Sequence, residues 1–140
     1  MRILFLGDIV GLPGCLAIKN NLPEIIIKKE IDFVIVNGEN AANQGVGITE
    51  IISKQLFDYG VHVITTGNHV WDQKETASYI ETEARLLRPL NLPENSPGKG
   101  FGIYTSKKGF KIGVLNLMGN IFMKKCDDVF IAASNFLKKN

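Results

Sequence analysis

The 140 residues contain only two histidines, two cysteines and one tryptophan. Cys15 and Cys126 form no CxxC or other paired spacing, which excludes a zinc ribbon and a disulfide framework. In a cytoplasmic chain, the location expected here, both are reduced thiols. No apolar run approaches the roughly 20 residues of a membrane span. The start, MRILFLGD, meets an acidic residue at Asp8, too early for the apolar core of a secretory signal. A net charge of +2, without a basic stripe or interleaved aromatics, gives no signal for nucleic acid as a partner. Lys124-Lys125 and Lys138-Lys139 read as solvated surface. There are no repeats and no low-complexity segments. What remains is ordinary for a globular chain: 45% hydrophobic, 21% charged and long enough to bury one core.

Along the chain, Arg2–Leu6 is a short apolar run ended by Gly7-Asp8, and reads as a strand. Leu16–Lys29 has helical spacing, although Pro23 argues for a break or kink. Phe33–Val36 reads as a buried strand, and Ala41–Gly47 as a polar, Gly-rich loop. Thr49 suits the N-cap of a helix to about Tyr59, with Gly60 as its left-handed stop. Val61–Thr65 is a third strand, and Asp72 can cap a helix over about 73–82. Pro89, Pro93 and Pro97 make the next stretch irregular. Phe101–Thr105 and Phe110–Leu117 then form a hairpin across Ser106-Lys107-Lys108-Gly109. Asp127 or Asp128 starts a final helix to about Lys138. The fold class is therefore α/β, with β-α-β-α-β units building a parallel sheet. A further strand is expected after the last helix. Without it the sheet has an open edge, which points to a truncated domain or half of an assembly.

Three strands end in loops rich in oxygen donors: FLGDIVG, IVNGENAANQG and ITTGNHVWD. Ligands of open α/β sheets bind at the carboxyl ends of strands, so Asp8, Glu39, Asn40, Asn68 and His69 should converge. Asp8 suits a cation and equally suits a turn or helix cap. Glu39 has two oxygens with which to bridge two ions, and Asn40 adds an amide oxygen; Asn-Gly is also a common turn pair. Asn68 offers a further neutral oxygen. His69 could bind metal, act as a general acid near neutrality, or simply bond a local carbonyl. Trp71 is expected to pack. His62, within or at the start of a strand, reads as structural. Gly7, Gly11 and Gly14 line a turn that could hold phosphate, but the spacing matches neither glycine fingerprint for nucleotides.

On these residues the chain resembles the YmdB-like metallophosphoesterases, a branch of the calcineurin-like phosphoesterases. The resemblance runs from Met1 to about Phe136. It rests on GDIVGLPG, NGENAANQGVGIT, TTGNHVWD, RLLRPLNLPENSPGKGFGIY and NLMGNIFM. It implies half of a four-layer α/β/β/α sandwich and a dinuclear centre of iron or manganese. It also implies phosphodiester hydrolysis, with cyclic nucleotides among the substrates. Asp8 would bind one metal, Glu39 would bridge, Asn40 and Asn68 would bind the second, and His69 would protonate the leaving oxygen or steady the phosphoryl group. Val10 stands where the wider superfamily has a histidine, as is usual for this branch.

The same resemblance exposes a departure. Family members continue with an Asp-x-His-Ala-Glu and a Gly-Thr-His-Thr-His segment, and neither occurs in this chain. The expectation is thus the N-terminal part of one domain, 1–140, carrying an incomplete ligand set and inactive alone. Its partner would be a C-terminal half or another copy. The alternative is a catalytically silent remnant or a nucleotide-binding module.

Overall fold

The computed structural model describes residues 1–139. Strands β1 (Ile3–Leu6), β2 (Phe33–Asn37), β3 (Val63–Thr65) and β4 (Leu86–Leu87) form a parallel sheet in that order. Helices α1 (Gly11–Lys28), α2 (Glu50–Asp58) and α3 (Thr76–Thr82) link successive strands, as parallel pairing requires. Strands β5 (Phe101–Thr105) and β6 (Lys111–Leu115) form an antiparallel hairpin, followed by α4 (Val129–Lys139).

Two cores flank the parallel sheet. On one side, Ile18 and Leu22 of α1 and Ile52 and Leu56 of α2 pack with Val34, Val36 and Ile64 from the strands. On the other, Phe33, Val63 and Leu87 meet Ile112 and Val114 of the hairpin, with Ile35 and Tyr104 at the margin. Phe136 of α4 sets its ring 4.7 Å from Phe101. Phe101 alternates with the inward Gly102 and Tyr104, so α4 touches the outer side of the hairpin. Helices, sheet, hairpin and α4 are thus the layers of the expected α/β/β/α arrangement, each built in part.

Local chemistry explains most boundaries. Thr49 Oγ1 accepts from Ile52 N at 3.2 Å, capping α2 as expected. Gly60 (φ 104°) ends α2, with Val61 N bonded back to Leu56 O. That bond uses Val61, so β3 begins at Val63 rather than Val61. Asp128 Oδ1 accepts from Phe130 and Ile131 N and caps α4.

Three further expectations are corrected. Helix α1 starts at Gly11, five residues before Leu16, and runs through Pro23. Pro13 lies in its first turn, where a missing N–H costs nothing. Pro23 is exposed, and burial of Ile18 and Leu22 offsets its cost of about 3 kcal/mol. Strand β6 stops at Leu115, because the carbonyl of Asn116 leaves the hairpin ladder and accepts from Leu90 N at 2.8 Å. Asp72 does not cap α3, which begins at Thr76 with no side-chain cap; its carboxylate is engaged elsewhere.

The hairpin covers β2, β3 and β4 but leaves β1 bare. Strand β1 is one edge of the sheet, and its Ile3 and Phe5 are 45% and 60% exposed. Helix α4 buries no residue, and its Phe130, Ile131 and Leu137 face solvent.

Candidate metal centre

Backbone hydrogen bonds stitch the three strand-end loops together. Ile9 N donates to Asn37 O at 2.9 Å and Gly11 N to Asn40 O at 2.8 Å. Gly38 N donates to Thr65 O at 3.0 Å. The loop after β2 is therefore held between its two neighbours, and its side chains are delivered to one place.

Asp8 and Asn40 meet directly, Asn40 Nδ2 donating to Asp8 Oδ2 at 3.0 Å. This leaves Asn40 Oδ1 as the free acceptor of the amide. Glu39 is fixed by Asn37, a residue to which the sequence assigned no role. Asn37 Nδ2 donates to Glu39 Oε1 at 3.2 Å, and Glu39 N donates to Asn37 Oδ1 at 2.9 Å. Such side-chain closure two residues on is a habit of Asn and was readable from the Asn-Gly-Glu order. Glu39 Oε2 lies against the loop after β3: His69 N approaches it at 3.5 Å, and a Cβ on Gly67 would overlap it. Gly67 is thus the position that gives Glu39 its room. The Asn68 side chain is half-buried and makes no hydrogen bond among the described residues.

The structure therefore brings Asp8 to Asn40 and Glu39 to the Asn68-His69 loop. A cleft of about 640 Å³ opens beside them, lined by Glu39, Asn68, Phe5 and the 115–119 segment. Buried Asn116 anchors that wall, its Nδ2 donating to Thr66 O at 2.9 Å and Leu87 O at 3.0 Å. Asn91 holds the far end by bonds to Met118 O and N. A smaller recess of about 200 Å³ lies next to it, shared by Asn68, His69, Asp72 and Lys124.

The donor set suits a hard cation on one flank. Two carboxylates and two amides present oxygens, the preferred ligands of hard divalent ions. Unfilled acceptors on Glu39, Asn40 and Asn68 fit that use. Among the described residues, however, no three of His, Cys, Asp and Glu cluster as a metal site would need.

His62 stands apart, as expected. Its Nδ1 accepts from Val34 N at 3.1 Å, and its ring lies 4.7 Å from that of Phe33. Burial, with Lys107 nearby, pushes its pKa below the ordinary value, against a hydrogen bond to the Gly60 backbone. The turn over 7–14 offers little to a phosphate. Gly11 N is spent on Asn40 O, and Pro13 has no N–H. Trp71 is half-buried against the helical core. No helix among the described residues is long and apolar enough to cross a membrane.

The family model described as YmdB-like protein matches residues 4–140. The chain belongs to this family. It is 44% identical over 137 residues to a Bacillus subtilis protein named 2',3'-cyclic-nucleotide 2'-phosphodiesterase, covering 98% of this chain and 51% of that protein. A Mycoplasma pneumoniae protein named putative phosphatase/phosphodiesterase is 37% identical, over 85% of this chain and 43% of its own length. A Thermus thermophilus crystal structure, of a protein called hypothetical, superposes with TM-score 0.91 at 40% identity, covering 100% of this chain and 54% of that one. A crystal structure described as a novel phosphatase from Mycoplasma pneumoniae gives 0.90 at 34% identity, covering 100% of this chain and 51% of that one. The YmdB-like chain thus sits in a family of hydrolytic enzymes and spans about half the length of the curated relatives it matches.

Proposed function

We propose that this chain is the N-terminal part of a metal-dependent phosphodiesterase, one that hydrolyses phosphodiester bonds with cyclic nucleotides among its substrates. The observation that carries the reading is the convergence of Asp8, Glu39, Asn40, Asn68 and His69 at one end of one sheet. The name of the Bacillus subtilis relative supports the substrate class.

In this reading Asp8 would hold one ion, Asn40 and Asn68 would hold the second, and Glu39 would serve both. Two bound ions, iron or manganese, would supply an activated hydroxide and neutralise charge on the phosphoryl oxygens. Asn37 and Gly67 set the position of the Glu39 carboxylate. His69 faces the smaller recess and serves the leaving oxygen or the phosphoryl group.

The missing flank belongs to a C-terminal half of the domain, and the bare face of β1 with Ile3 and Phe5 supports a partner there. The chain alone is then inactive. A second reading, a silent nucleotide-binding module, draws no support from the 7–14 turn, where the Ile9, Gly11 and Gly14 N–H groups are committed and Pro13 has none.

The test is a chimera in which this chain replaces the matched part of the Bacillus subtilis relative. Metal-dependent turnover of a 2',3'-cyclic nucleotide is expected, lost by about 100-fold or more on Glu39→Ala or Asn68→Ala. Turnover retained in either variant would sink the site assignment.

A further inference from the structure

The chain's two histidines are held by opposite kinds of partner. His62 Nδ1 receives a hydrogen bond from a backbone N–H, so Nδ1 carries no proton and the neutral ring is protonated at Nε2. His69 Nδ1 lies 2.6 Å from Asp72 Oδ2. A carboxylate only accepts, so here Nδ1 must donate. Nε2 of His69 has no partner among the described residues, and the ring borders the recess that also holds Asn68 and Lys124.

We propose that Asp72 is a positioning residue: it fixes the His69 ring and its Nδ1–H tautomer, so that Nε2 is the nitrogen presented to a phosphate ester. The geometry is local and well suited to this. The two residues are three apart on a turn closed by Asp72 N bonding to His69 O at 3.1 Å. The turn is built on the same loop that carries Asn68. Asp72 has no competing structural duty, since α3 begins beyond it without a side-chain cap. A carboxylate that orients a histidine by its far nitrogen is a general device for fixing which nitrogen works. The inference rests on the reading of His69 under the proposed function, but the tautomer itself is independent of activity.

The experiment is a two-bond 1H–15N correlation spectrum of the 15N-labelled chain at about pH 8. His62 should show the Nε2–H pattern and His69 the Nδ1–H pattern. In Asp72→Ala, His69 should shift to the Nε2–H pattern while His62 stays unchanged and reports an intact fold. An Nε2–H pattern for His69 in the unaltered chain overturns the proposal, as does an Nδ1–H pattern that survives Asp72→Ala. If the alanine variant loses the His62 pattern through unfolding, the spectrum of the unaltered chain still decides.

In the chimera, Asp72→Ala should lower kcat by about tenfold or more with KM little changed. An unchanged kcat overturns the positioning role. If His69→Ala itself leaves kcat untouched while the tautomer pattern holds, it is the assigned role of His69 that fails, and not the pairing.

Discussion

The two faces of the parallel sheet differ in completeness. The helical face is closed: Leu22, Val34, Val36, Leu56 and Ile64 are all at most 1% exposed. The opposite face is closed only over β2 to β4, and β1 presents Ile3 and Phe5 to solvent. The site straddles the same divide. Its ligand loops are bonded to one another at the strand ends, while the cleft beside them is lined in part by exposed Phe5. Under the proposed function, a closed helical core carries part of a metal centre, and whatever covers the open face would supply the remaining ligands.

The contrast can be broken most sharply at Glu39. In the chimera, Gly67→Ala should displace its carboxylate and cut turnover by more than about tenfold while the fold survives, as circular dichroism and steady-state kinetics would show. On the closed face, Leu56→Ala should cost about 2–5 kcal/mol in urea unfolding. A value near zero would mean that the helical core does not carry the stability.

Phe5→Ala addresses the open face in two settings. In the chain alone the change should stay within about 0.5 kcal/mol, since the ring is solvated. In the chimera it should cost roughly 3 kcal/mol, as for a buried aromatic. Equal effects in both would show that nothing packs on β1.

The smallest expected effect is that of His62. Its folded-state pKa is depressed, so the folded form binds fewer protons than the unfolded one. Its contribution is fully present above the ordinary histidine pKa of about 6.5 and is lost as pH falls from there through the lowered value. Urea midpoints measured between about pH 8 and 5 should decline, and His62→Gln should flatten that portion of the slope.

Much of this was legible in the residues. Thr49 and Gly60 bounded α2 through capping chemistry that acts within a few residues. The three donor-rich loops followed from strand ends and the rule for ligand position. The two-residue β4 carries no periodicity and escaped notice. The start of α1 was hidden because Gly-Leu-Pro-Gly reads as a turn, although a first-turn proline is harmless. Pro23 looked like a break because propensity ignores the packing of Ile18 and Leu22. Asp72 looked like a cap because its real partner, the His69 ring, is a matter of side-chain direction. Gly67 matters through Glu39, 28 residues away in sequence, and no local pattern shows that.

The most direct test of the half-site is metal content. Chain and chimera would be loaded with manganese, dialysed, and their bound metal counted by mass spectrometry. About two ions per chimera and far fewer than one per isolated chain are expected, because a one-sided set of oxygen donors holds metal poorly. Two ions firmly retained by the chain alone would contradict the claim that its centre is incomplete.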